Sequence, residues 1–514
     1  MPWRWGYSPK TEKYIPLADF PADRYLVVAL KVIENLGWSL SHVSESGIIA
    51  YTSLSWQSYS EEVSIRISAN FAIVKSECVG IQMLFNDYGK NELNLQKFFD
   101  EFEYAEFHLK DSWDENLKNL TLRTSENDDS YFNRAPLAAK EKIKNVLYLF
   151  YPRKGYLLTP IIVSLNILYW LISFALLGFR AIPFAHTGVP ASFYNDFLNI
   201  IGANNRYLAL SGEYWRLFTA IFIHITISHL FSNMYALVYI GLMTENKIGS
   251  RRFLAIYILS GLAGSANSLL FHPSGYMIGA SGAIMGMFGA FLALLLSSGF
   301  EKHARKAMFI STALVIALML LNGFSKTGVD NAAHIGGLIS GFVIGVICQY
   351  ELNRNSRSLT YKAYSLAGLL SAVYIAGILY LTPNYEVEKF EALVAKYVEN
   401  EFSTNSAFNY TYGTTKKEKL RQLQKEGVNV WKSNVDISAK MRRLYLPADA
   451  KRKAIRLEKI ARLQHQSMIY LYREADEETT KYRGEINRIT KKMNEVLKAG
   501  NDDLPEGDSY FLNF

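Results

Sequence analysis

The 514-residue chain holds only two cysteines, Cys78 and Cys348. That scarcity excludes a disulfide scaffold and a cysteine-built zinc ribbon. Charge is also thin, at 20% against 50% apolar and 14% aromatic residues, which excludes a disordered or collagen-like chain. No His-Glu-x-x-His string occurs, so a helix-borne zinc protease is ruled out. The long apolar stretches have no Asp, Glu, Lys or Arg in their interiors, which removes an enzyme built on two membrane-embedded carboxylates.

What charge there is lies unevenly. The net charge of +8 and pI near 9.0 invite a nucleic-acid partner, but the regional balance opposes one. Residues 1–155 carry 18 Lys/Arg against 21 Asp/Glu, and residues 383–514 carry 24 against 20. Most of the excess therefore sits in the apolar middle, as in a membrane protein. Seven stretches there approach the roughly 20 residues that a bilayer core requires. They are residues 157–179, 218–243, 253–271, 279–298, 307–322, 333–350 and 363–381. The first follows about 150 mostly polar residues, so no cleavable signal peptide is expected at the start. Cations cluster on alternate connections: Arg153-Lys154, Lys247 with Arg251-Arg252, Lys302 with Arg305-Lys306, then Arg354, Arg357 and Lys362. The positive-inside rule puts the N-terminus in the cytoplasm and, with seven spans, residues 383–514 outside. The first outer loop, about 180–215, is long and amphipathic and suits the membrane interface.

The soluble ends are read more coarsely. Residues 1–125 form a small α+β domain, with helices at 17–37 and 93–110 and strands at 47–53 and 61–78. Residues 126–156 are a linker, 157–350 the membrane core, and 351–382 a connection with the seventh span. Residues 383–514 read as a helical soluble domain. There Ile486, Ile489, Met493 and Val496 follow 3-4-3 spacing, and Lys451 to Lys459 is basic and amphipathic.

Polar groups in hydrocarbon are costly, so those inside the spans point to function. The second span carries His224, His229 and Asn233. The fourth begins Gly279-Ala280-Ser281-Gly282, and the sixth reads Ala333-His334-Ile335-Gly336-Gly337. Spans two, four and six enter from the same face, so Ser281 and His334 share a depth near the outer surface. Gly282, Gly286 and Gly289 on one helix, and Gly337, Gly341 and Gly345 on the other, strip the facing surfaces for close approach. A serine hydroxyl needs a base, and neutral imidazole is the usual one. His229 and Asn233, at i and i+4, point from one helix face and can donate to the oxygen of a tetrahedral intermediate. The N–H of Ser281 at a helix start can add a third donor.

These motifs, from Trp215-Arg216 through His229-Leu-Phe-Ser-Asn233, Gly279-Ala-Ser281-Gly282 and Ala333-His334-Ile-Gly-Gly337, resemble the rhomboid family of intramembrane serine proteases. The resemblance covers roughly residues 157–350. It implies a six-helix α-helical core and a dyad of Ser281 and His334 without an aspartate. It also implies an oxyanion hole lined by His229 and Asn233, and Trp215 and Arg216 in a partly immersed loop. His224 matches a further histidine seen before that motif. Some bacterial members place Tyr where this chain has Met285. Asp330 reads as a helix-start residue, and Arg216 as a lipid or loop-fixing contact. The implied activity is cleavage of transmembrane segments of other proteins, with a small residue before the cut bond and helix-destabilising residues after it. No metal or organic cofactor is called for; the partners are membrane-protein substrates and lipids, not nucleic acid. The expected setting is a bacterial plasma membrane. Two alternatives stand beside this reading: a catalytically inactive relative that binds transmembrane helices, and a transporter.

Overall fold

The computed structural model describes residues 9–55, 59–80, 86–110, 112–123, 146–177, 191–273, 275–296, 300, 302–325, 329–354, 357–408, 410 and 413–498. They fall into two compact units, one drawn from residues 9–205, 212–272 and 276–382, the other from 206–211, 273–275 and 383–498. Residues 126–145 of the expected linker and residues 180–190 of the expected interfacial loop lie outside the described residues.

The first unit opens with an antiparallel sheet in the order β1-β5-β4-β3-β2, from Lys10–Pro16, Ser39–Ser44, Gly47–Tyr51, Glu61–Ser68 and Phe71–Cys78. Residues 61–78, read from the sequence as strand, are a hairpin turning at Ala69, whose φ is +50°. Helix α1 (Ala22–Asn35) starts one residue after Pro21, which cannot supply a helical N–H and marks the entry. It buries Leu26, Val28 and Ile33 against Ile48, Val63, Ile65 and Val74, together with Leu95 and Phe98 of α2 (Lys90–Leu109). A further helix, α3 (Trp113–Arg123), completes this layer. The sheet also touches the membrane bundle: Ile49, Tyr51 and Val79 belong to the same apolar core as Tyr239 and Met308. Gly80 lies so near Ser311 that an added Cβ would sit 3.0 Å from its hydroxyl.

The bundle consists of α4 (Leu158–Leu177), α5 (Ala191–Ile200), α6 (Arg216–Thr219), α7 (Ile227–Ile248), α8 (Ser250–Phe271), α9 (Ser281–Leu295), α10 (Lys302–Ser325), α11 (Asn331–Arg354) and α12 (Arg357–Leu381). Among the described residues, five helices are long and apolar enough to cross a bilayer, or six if a bent pair counts as one span. That pair is the expected stretch 218–243: residues 216–222 meet α7 at 92°. The break falls where Thr226 caps α7, its Oγ1 accepting from His229 N at 3.2 Å. The expected stretch 279–298 is a helix of 15 residues, Ser281–Leu295, nearly all of them buried. A short helix survives at membrane depth when protein rather than lipid surrounds it.

Buried Glu245, just beyond the apolar stretch of α7, anchors α4. Its carboxylate accepts from the N–H groups of Leu157, Leu158 and Thr159 at 2.8–3.0 Å, and from the hydroxyls of Thr159 and Ser250. A helix N-terminus offers such orphan donors and a favourable dipole for negative charge.

The second unit is helical. Helices α13 (Val387–Ser403), α14 (Lys416–Gln422), α15 (Asn429–Arg443), α16 (Ala448–Glu477) and α17 (Arg483–Lys498) surround Trp431, Tyr397, Met441 and Met468. Thr415 and Glu418 form a reciprocal capping box at the start of α14. The 3-4-3 run falls on α17, with Ile489 buried and Ile486, Met493 and Val496 half-buried.

Candidate active site

Two helix starts define the site. Ser281 is the first residue of α9, and His334 lies in the first turn of α11. The glycines of the two helices meet backbone to backbone. A methyl on Gly337 would sit 2.8 Å from the carbonyl carbon of Gly282, one on Gly289 2.9 Å from Phe342 N, and one on Gly345 2.7 Å from Ala290 Cα. From α8, Gly264 closes on the carbonyl oxygen of Ala333, 2.7 Å from where its Cβ would be. Residues flanking Ser281 and His334 are thus locked at one level, as close packing of small residues permits in a membrane.

Ser281 is half-buried and His334 is 5% exposed. No hydrogen bond joins them in this structure, and His334 Nδ1 is buried without a partner. Catalytic contacts are commonly long before substrate arrives. Asp330 does not orient the imidazole through its carboxylate. It caps α11, with Oδ1 accepting from Ala333 N at 2.9 Å, Oδ2 accepting from Ser268 Oγ, and His272 Nδ1 3.6 Å from Oδ1.

Gly279 precedes the serine with φ of +113°, a conformation that favours glycine. Its N–H donates to Ala220 O at 2.8 Å. The space a side chain would take is filled by His229, whose Cε1 and Nε2 lie 2.7 and 2.9 Å from the ideal Cβ position; Asn233 Nδ2 is 3.8 Å away. His229 and Asn233 therefore reach the serine loop. His224 is buried and its ring is 4.9 Å, centroid to centroid, from that of His229. Asn233 Nδ2 donates to His224 Nε2 and to His229 O, both at 3.1 Å. Met285 is fully buried one turn along α9 from Ser281.

Trp215 and Arg216 lie at the start of α6. Trp215 is 50% exposed, whereas Arg216 is buried and fixes its loop. Arg216 pairs with Glu213 at 2.7 Å and donates to the carbonyls of Asn199 and Ala203. The same loop pairs as β6 (Asn204–Asn205) with β7 (Tyr276–Met277), the strand leading to Gly279. Beside Ser281, a cavity bounded by Ile221, Ser265, Ile278, Gly279 and Asp330 leaves about 10 Å³ for the centre of a water.

Sequence reasoning passed over Asn267, Ser268, Tyr374 and Glu245. The first two were visible as polar residues inside an apolar stretch, the same signal that marked His229 and Asn233. No group of three or more His, Cys, Asp or Glu suited to a metal occurs among the described residues.

Helical spans gathered around paired glycine faces, with a serine and a histidine at adjoining helix starts, define a polytopic membrane protein with a polar site in its core. The family model described as the rhomboid domain matches residues 211–351. The chain is 42% identical over 152 residues to "Rhomboid protease GluP" of Bacillus subtilis (strain 168), covering 29% of this chain and 28% of that one. It is 39% identical over 135 residues to "RHOMBOID-like protein 1" of Arabidopsis thaliana, covering 26% and 34%. With "Rhomboid protease AarA" of Providencia stuartii it shares 33% identity over 211 residues, covering 36% of this chain and 75% of the relative. The chain belongs to the rhomboid family. Its match spans only about a third of the length of the first two relatives.

Proposed function

We propose that this chain is an intramembrane serine endopeptidase acting through Ser281 and His334. The observation that carries the reading is the pairing of their helix starts by the glycine interface. The names of the bacterial relatives, both rhomboid proteases, support it.

In the proposed reaction, His334 takes the Ser281 proton as Oγ attacks the scissile carbonyl. The oxyanion is held by His229, Asn233 and the Ser281 N–H, a first-turn donor without an intrahelical acceptor. Both Nδ2 hydrogens of Asn233 are engaged in the resting site, so its amide exchanges His224 for the oxyanion as the intermediate forms. Collapse breaks the C–N bond and His334 protonates the leaving amine. A water, deprotonated by His334, then hydrolyses the acyl-enzyme and regenerates Ser281. No metal or organic cofactor enters these steps. The small cavity beside Ser281 fits a small residue before the cut bond. Extended backbone is costly in lipid, so transmembrane segments that unwind readily are the expected substrates. The cation pattern supports a cytoplasmic N-terminus, cleavage near the outer surface, and an outer C-terminal domain.

The test is labelling of the detergent-solubilised chain by a fluorophosphonate, followed by cleavage of a transmembrane substrate in bilayers. Wild type should label, and Ser281→Ala and His334→Ala should not. A folded wild type that neither labels nor cleaves would instead support a helix-binding inactive relative.

A further inference from the structure

The helix beyond the six-span core is tied, through one residue of α8, to the helix that carries the proposed base. From α12, the hydroxyl of Tyr374 donates to Asn267 Oδ1 at 3.1 Å. Asn267, on α8 and 7% exposed, uses Nδ2 to donate to Ala332 O at 2.7 Å, two residues before His334. Helix α11 is notched to receive it: a methyl on Gly336 would lie 2.6 Å from Asn267 Cβ. The next residue on α8, Ser268, donates to Asp330, the cap of the same turn.

We infer that Tyr374 and Asn267 are positioning residues for His334, so that α12 works as part of the catalytic apparatus; the inference rests on the protease reading above. The physical reason lies in the imidazole itself. His334 Nδ1 has no partner, so no carboxylate sets the ring's direction, and its place follows from the placement of the first turn of α11. An asparagine amide can turn end for end. Turned, it would set Oδ1 against Ala332 O, two acceptors face to face. That clash selects the orientation in which Nδ2 holds the turn, and the Tyr374 hydroxyl, donating to Oδ1, ties the amide so oriented to α12. Base and nucleophile must meet within hydrogen-bond reach, so a small drift of this turn lowers the rate more than it loosens the fold.

The experiment uses the full chain in bilayers, with fluorophosphonate labelling rate, kcat and KM on a transmembrane substrate, and thermal unfolding measured together. Tyr374→Phe deletes one oxygen. The expected result is labelling and kcat about three- to tenfold lower, with KM and the unfolding midpoint unchanged. Asn267→Asp, which accepts from Tyr374 but cannot donate to Ala332 O, should lose at least as much, and Asn267→Ala should abolish any further effect of Tyr374→Phe. Wild-type labelling and kcat in Tyr374→Phe, or additive effects in the double variant, would overturn the inference while leaving the protease reading in place. Loss only in KM or in the unfolding midpoint would do the same. A folded wild type that neither labels nor cleaves would overturn both.

Discussion

Gly337→Ala adds one methyl and no charge, yet the structure leaves it nowhere to go. The new carbon would lie 2.8 Å from the carbonyl carbon of Gly282 and 3.3 Å from its Cα, and closer still to its oxygen. These are backbone atoms, so no rotamer relieves them. Ordinary contact requires α9 and α11 to part by roughly an ångström. Overpacking of this kind costs about 1–3 kcal/mol. The catalytic consequence is larger, because Gly282 adjoins Ser281 and Gly337 lies one turn from His334. A displacement of about 1 Å between reacting groups can lower a rate about 100-fold. The assay is fluorophosphonate labelling and substrate cleavage beside thermal unfolding, with Gly368→Ala on α12, where a methyl meets nothing within 4 Å, as the control. The expected outcome is a folded Gly337→Ala protein whose labelling falls about 100-fold while Gly368→Ala stays at wild type. Full labelling of Gly337→Ala would refute the claim that backbone contact sets the dyad.

Gly279→Ala should lower labelling at least about tenfold and stability by about 1–3 kcal/mol, since the methyl collides with His229 at a φ of +113°; labelling and thermal unfolding check it. Glu245→Ala should cost about 2–4 kcal/mol by stripping the start of α4 of its acceptor, read as a lower unfolding midpoint in detergent. In the second unit, the Arg462 guanidinium, with Arg442 beside it, holds the Glu458 carboxyl below its ordinary 4.5. Because the folded value is the lower one, that contribution is full above about pH 4.5 and is lost as pH falls through the folded value. Hydrogen-exchange protection in α15 and α16, taken relative to the intrinsic rate at each pH, should therefore fall below pH 4.5 in wild type, and Glu458→Gln should flatten that dependence.

The apolar spans and the glycine-flanked serine and histidine were legible because burial in lipid leaves a long, uncharged record in the sequence. Edge strands leave a weak one. Lys10–Pro16 buries only Thr11 among its seven residues, and Ser39–Ser44 is mostly polar, so neither carries an apolar run like that of Gly47–Tyr51, whose five residues are all buried. The bend before α7 was hidden for the opposite reason: Ile221, Ile223 and Ile225 continue the hydropathy across a backbone break made by a threonine cap. Asn267 and Glu245 illustrate a third limit. A sequence shows that a polar group is present in or beside a span, but only the packing of α8 against α11 and α12, or of α7 against α4, supplies its partner.

These partners bear on how a serine–histidine pair can dispense with a third residue. An acid bonded to the base has two tasks in a triad: fixing the ring's direction and stabilising the imidazolium. In the proposed mechanism the first task passes to the backbone. Asp330 caps the turn rather than touching the ring, Asn267 holds the carbonyl of Ala332, and Gly264 and Gly282 close on Ala333. The imidazole is thereby fixed through its own helix. The second task has no carboxylate bonded to His334 among the described residues. A site arranged in this way should tolerate a change of ring environment better than a change of helix spacing. Met285→Tyr, which alters the interior one turn from Ser281, should therefore cost less labelling than Gly337→Ala, which alters the spacing itself. The reverse order in labelling rate would show that contacts to the ring, rather than backbone packing, set the base.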